Sequence, residues 1–225
     1  MELTDGVMQA GIQSSERMYL MHISYVSVGA TGHVLASLPL VTELVKRGVR
    51  VTYFTSENFR AMVEATGAAF SPVNTVLTDQ GKADKDVAKN MDAELPLRFL
   101  SEGAAAVEQI LAVMRQDMPH AVISDTLAIS GRLAASALKL PLIQMYTSYA
   151  SNDFFDVSAS LPKVPDTDPA RVAASKLADE LSAKYGVEHL GMREIFGGSK
   201  CGLNIVTVQK DFQPAGDTFD DTFVF

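Results

Sequence analysis

Residues 22–28 read His-Ile-Ser-Tyr-Val-Ser-Val, a short β-branched and aromatic run stopped by Gly29. Such a run forms a strand. The spacing then changes. Val34, Leu38, Val41, Leu44 and Val45 recur every three or four residues, which marks one face of a helix. Lys46-Arg47-Gly48 closes it, with cations in the last turn and glycine just beyond. Pro39 falls inside this helix, removes one backbone hydrogen bond and invites a kink. The alternation repeats with a strand at 49–55, a short helix at 57–66 ended by Gly67, and a brief strand at 69–73.

Between 74 and 92 the pattern dissolves into charges of alternating sign, which reads as a surface loop or short helix. Helical spacing returns over 95–114 through Phe99, Ala106, Ile110 and Met114. A strand at 121–124, an Ala-rich helix at 127–138 and a strand at 141–146 follow. Asp168-Pro169 is a helix start, with Asp at the N-cap and Pro at the first helical position, and Gly186 is its stop. A short helix within 187–196 and strands at 203–208 and 222–225 complete the chain. Strands alternating with helices imply a parallel sheet of about seven strands covered on both faces, in one α/β domain over 19–225. Residues 1–18 have no such pattern and read as a flexible leader.

Charge narrows the functions. Nineteen Lys and Arg against 27 Asp and Glu leave a net charge of −8. Phosphate backbones and anionic lipid surfaces call for clustered cations, so neither a nucleic acid nor a membrane is the expected partner. No stretch approaches the roughly 18 consecutive apolar residues of a membrane helix. The single cysteine, Cys201, excludes an internal disulfide framework and a Cys-based zinc site. It fits a reducing, cytoplasmic setting and reads as a small core or loop residue rather than a nucleophile. Asp217, Asp220 and Asp221 have no ordered ligand spacing and read as a solvated turn, so no metal is expected.

Ligands of an open parallel sheet bind beyond the carboxyl ends of its strands, where the strand order reverses. For an order 3-2-1-4-5 that point lies between the first and fourth strands. Gly29-Ala30-Thr31-Gly32-His33 follows the first strand, Asp125 the fourth, and Thr147 and Ser148 the fifth. The glycines would allow a tight turn and a close ligand. Their spacing is neither the dinucleotide fingerprint nor a phosphate loop, which weakens a further reading as another nucleotide-binding enzyme. His33 beside a carboxylate would be a general-base pair. The residues alone leave open that His33 is a polar residue at a helix start and Asp125 a helix N-cap.

The segment 28–34, Val-Gly-Ala-Thr-Gly-His-Val, with Leu38-Pro39-Leu40, Glu43-Leu44 and residues 47–53, resembles the start of family 1 glycosyltransferases. The nearest type resembles the bacterial macrolide and broad-acceptor UDP-glycosyltransferases. Leu203-Asn204-Ile205-Val206, Phe212-Gln213-Pro214 and residues 219–225 resemble the end of that family's N-terminal half. The family often has Asn-Pro where Leu35 and Ala36 stand.

The resemblance implies a GT-B fold, of which this chain would be the Rossmann-like acceptor domain. It implies a partner donor domain, in the same or a separate chain, and a nucleotide-sugar co-substrate, UDP-linked, with no metal or other cofactor. His33 matches the family's general base and Asp125 the carboxylate that orients it. Thr31, Gly32, Thr147 and Ser148 match positions near the diphosphate or donor sugar. Met91, Phe99, Tyr149, Phe154, Phe155 and Met192 fall in regions bordering the acceptor, where a soft lining would suit a bulky apolar molecule. The reaction implied is an inverting sugar transfer to a hydroxyl of a small natural product such as a macrolide, polyketide or flavonoid. An uncovered interdomain face would favour homodimers. The competing reading is a non-catalytic homologue that binds an apolar ligand or a partner enzyme.

Overall fold

The computed structural model describes residues 21–74, 91–199 and 201–225, with 91–93 described by their backbone alone. Seven parallel strands form one sheet in the order β3-β2-β1-β4-β5-β6-β7. They are β1 (His22–Val26), β2 (Arg50–Thr55), β3 (Ala69–Pro72), β4 (Ala121–Asp125), β5 (Leu142–Tyr146), β6 (Leu203–Val206) and β7 (Phe223–Val224). The helices are α1 (Thr31–Lys46), α2 (Arg60–Glu64), α3 (Met91–Gln116), α4 (Ile129–Leu138), α5 (Pro169–Tyr185) and α6 (Met192–Gly197). The fold is α/β and Rossmann-like, as the alternation implies, and the order reverses between β1 and β4.

The sheet is buried on both faces. Ile23, Tyr25, Val51, Tyr53 and Ile123 pack under α1 and α2. Val26, Phe54 and Val122 pack under the helices α3 to α6. Every residue of β1 is buried, and its sequence is mostly apolar, with His22 and Ser24 as the polar exceptions. Tyr25 and Tyr53 stack with ring centroids 4.7 Å apart. Ser37 of α1 reaches down to them, its hydroxyl 2.7 Å from the Tyr53 hydroxyl and donating to the Val34 carbonyl. This buried contact fixes α1 on the sheet and so fixes the helix turn that carries His33.

Some boundaries differ from the sequence reading. β1 ends at Val26, because Ala30 N–H bonds back to the Val28 carbonyl and the chain turns into α1. α4 starts at Ile129 and α3 already at Met91. The helix sought in 187–196 is confined to α6, because Val187 N–H closes the end of α5 on the Ser182 carbonyl. Pro39 lies in the middle of α1, and the helix continues across it. Asp168 caps α5 as expected, accepting from the Ala170 and Arg171 amides, and Gly186 ends it at φ 71°. The proposed leader 1–18 and most of the proposed loop 74–92 lie outside the described residues. Among the described residues no helix is long and apolar enough to cross a membrane.

Candidate active site

The reversal of strand order brings the ends of β1, β4 and β5 to one crevice. His33 projects from the first turn of α1, held by the fully buried Val34 and Ser37 that follow it. Asp125 is the last residue of β4 and is itself fully buried. Its Oδ2 lies 2.7 Å from His33 Nδ1, across 92 residues of sequence. Its Oδ1 accepts the Leu127 amide at 2.8 Å. Both carboxylate oxygens are thus engaged, and an ionised carboxylate only accepts, so Nδ1 carries the ring proton toward it. Nε2 is then the basic nitrogen. Burial draws the imidazole pKa down, but the hydrogen bond and charge of Asp125 outweigh it, leaving His33 above its usual value.

Thr147, just beyond β5, lines the crevice and places Oγ1 3.0 Å from the same Nδ1. Ser148 is exposed on the rim. The cleft has a volume of about 150 Å³, and beside these polar groups it is lined by Leu127, Val157, Leu161 and Phe196. Its lining is part polar, with His33 and several hydroxyl groups, and part apolar. That mix suits an organic molecule with a hydroxyl to present. Thr126, which also lines the cleft, is braced by Arg132, which is buried and donates to the carbonyls of Thr126 and Glu194.

The remaining sequence candidates divide. Thr31 and Gly32 stand exposed in the first turn of α1, beside His33. Neither Gly29 nor Gly32 has a positive φ, so the tight-turn reason for them does not apply. A methyl group on Gly32 would meet nothing within 4 Å, so what the position offers is open space. Asp125 does not cap α4. The N-cap is Ala128, with no side-chain bond. Phe99 is buried in the core and meets Phe196 edge-to-face at 5.8 Å, backing the apolar wall without facing the cleft. Tyr149 and Phe155 pair edge-to-face at 6.2 Å on the loop after β5, where Phe154 is 75% exposed. Met192 borders a different cleft, with Pro96, Leu100 and Ile195. Met91 opens α3, and its side chain lies outside the described residues.

The sequence reading missed Phe196, Leu161, Val157 and Leu127. They sit in loops or at helix ends, where no period tells which side chain turns inward. Of the acidic cluster, Asp220 accepts from the amide and hydroxyl of Thr222, a turn contact that holds its carboxyl below the usual range. Cys201 is a free thiol, and burial pushes its pKa up, the opposite of an activated nucleophile.

The NDP-glycosyltransferase YjiC of Bacillus subtilis is 34% identical over 206 residues, 91% of this chain and 50% of that protein. The demethyllactenocin mycarosyltransferase of Streptomyces fradiae is 27% identical over 216 residues, 92% of this chain and 46% of that protein. The crystal structure of CalG4, the calicheamicin glycosyltransferase, superposes with a TM-score of 0.78 at 30% identity, covering 91% of this chain and 52% of that one. No protein-family model matches the chain. The chain therefore has the sequence and fold of the N-terminal half of a GT-B glycosyltransferase. It spans about half the length of the curated relatives it matches.

Proposed function

We propose that this chain is the acceptor-binding half of an inverting glycosyltransferase, with His33 as general base. The observation that carries the reading is the 2.7 Å contact between His33 Nδ1 and the fully buried Asp125. It leaves Nε2 free of a proton at the edge of a half-apolar cleft. An acceptor hydroxyl in the cleft gives its proton to Nε2 as its oxygen attacks the anomeric carbon of a nucleotide sugar. The nucleoside diphosphate leaves from the opposite face, so configuration inverts in one displacement. Asp125 stabilises the imidazolium that forms.

The second substrate is a nucleotide sugar, UDP-linked in this reading, held by a donor half in the same or a separate chain. Thr31, Gly32, Thr147 and Ser148 face it. A helix N-terminus of that half can carry the diphosphate charge, so no metal or other cofactor is called for. The acceptor is a small apolar natural product of macrolide, polyketide or flavonoid type. Relatives named for mycarosyl transfer to demethyllactenocin and for oleandomycin glycosylation support that class. The exposed Tyr149 and Phe154, with the half-buried Phe155, extend the apolar lining toward it. A reduced Cys201 goes with a cytoplasmic enzyme.

The test is transfer itself. The chain alone should turn over negligibly, because holding both reactants together supplies roughly 7–11 kcal/mol of such a barrier. Joined to a donor half, it should yield a glycoside of inverted anomeric configuration, and His33→Ala should suppress that product. A product of retained configuration would overturn the mechanism.

A further inference from the structure

We propose that Thr147 is a positioning residue for the base: its hydroxyl oxygen holds the His33 ring from the Nδ1 side, in the tautomer that Asp125 fixes and in which Nε2 accepts a proton. The proposal rests on the reading of His33 as the base, and it gives Thr147 a role distinct from contact with a donor sugar.

The argument is a count of protons. Nδ1 has two oxygen neighbours, Asp125 Oδ2 at 2.7 Å and Thr147 Oγ1 at 3.0 Å. A ring nitrogen carries at most one hydrogen. Asp125 can only accept, is the nearer and carries charge, so it takes the main share of that hydrogen. With Nδ1 protonated, Thr147 cannot donate to it. The hydroxyl oxygen must turn a lone pair to the same N–H, as the weaker branch of a shared bond. In the opposite tautomer, with hydrogen on Nε2, Thr147 could donate to Nδ1, but the buried carboxylate would face a bare nitrogen lone pair. That repulsion excludes it.

The hydroxyl hydrogen of Thr147 is then directed away from His33. Among the described residues Nδ1 is its one hydrogen-bond neighbour, and the side chain lines the cleft. It is therefore presented to whatever oxygen occupies the cleft. A ligand oxygen that accepts from Thr147 makes its oxygen a better acceptor for Nδ1–H, because hydrogen bonds in a chain polarise one another. Occupation of the cleft would thus strengthen the base.

The chain has only four histidines, so His33 can be read directly by long-range proton–nitrogen NMR on nitrogen-15-labelled protein, assigned with His33→Gln. Expected for the wild type is hydrogen on Nδ1 at high pH. Thr147→Val should lower the His33 titration midpoint by about half a unit, because the lost acceptor favours the imidazolium over the neutral ring, while Asp125 keeps the hydrogen on Nδ1. Thr147→Ser should restore the midpoint. Thr147→Ala serves as a second variant should the valine disturb folding. If Asp125→Asn moves the midpoint but neither Thr147→Val nor Thr147→Ala does, Thr147 is a bystander and the proposal falls while the base reading stands. If Asp125→Asn also changes nothing, the base reading itself fails.

Discussion

Gly131 of α4 lies against Ser124 of β4 so closely that a Cβ on it would fall 2.9 Å from the Ser124 Cβ and equally near that of Val26. The missing side chain lets α4 approach the strand whose next residue is Asp125. Ser124 uses the proximity to donate to the Ala128 carbonyl at 2.9 Å, which ties the loop after Asp125 to the strand before it. Gly131→Ala should cost about 1–3 kcal/mol, the usual penalty for overpacking a filled core. Denaturant unfolding measures it. An unchanged midpoint would mean that α4 has room to move and does not fix Asp125.

Arg132, the next residue, is fully buried, and its pKa is pushed down to about 10 by burial, which leaves it charged at neutral pH. Its guanidinium spans the carbonyl of Thr126, which lines the cleft, and the Glu194 carbonyl of α6, and also meets Ser199. Arg132→Met should strand the buried Thr126 carbonyl and the part-buried Glu194 carbonyl and cost roughly 2–4 kcal/mol. Arg132→Lys should recover little, because one ammonium cannot reach in the fork geometry of the guanidinium. Full recovery by lysine would refute the brace.

His22 gives stability a pH dependence of known sign. It is buried in β1, with Nε2 2.9 Å from Thr52 Oγ1, and faces Arg50, Asp117 and His120. Burial first, and then the charge of Arg50, hold its pKa below the usual 6.5. Below that value the unfolded chain takes up a proton that the folded chain refuses, so stability falls as pH drops from 6.5 toward the folded pKa. His33 has the opposite sign: its contribution is complete below 6.5 and is lost as pH rises through its raised value. The change in urea midpoint from pH 7.5 to pH 5.5 should be more strongly destabilising in the wild type than in His22→Gln, which keeps only the opposing His33 contribution. An equal difference in both would assign the dependence elsewhere.

Much of this was legible in the sequence. The strands and their parallel order follow from mostly apolar runs such as 22–28 and 203–206 alternating with helical spacing. The strand-end rule then brought His33, Asp125 and Thr147 to one place. The walls of the cleft were not legible. Phe99 and Phe196 are both aromatic and near in space, yet only Phe196 faces the cleft, and that depends on packing in a short helix. Arg132 reads as one polar residue on an Ala-rich helix. Nothing local shows that it points inward, because its partners lie in a loop and in α6, up to 67 residues away.

The central claim is that His33 and Asp125 act as one unit in proton removal. Turnover of the wild type, His33→Ala, Asp125→Asn and the double variant, each joined to a donor half, tests it most directly. His33→Ala should lower kcat by about 10²–10⁴-fold with acceptor KM nearly unchanged. Asp125→Asn should also lower kcat, because an amide cannot offset the imidazolium charge. The double variant should be little slower than His33→Ala, since Asp125 acts through His33. Full turnover by His33→Ala, or two losses that simply multiply, would contradict the account and leave His33 a polar residue at the start of α1.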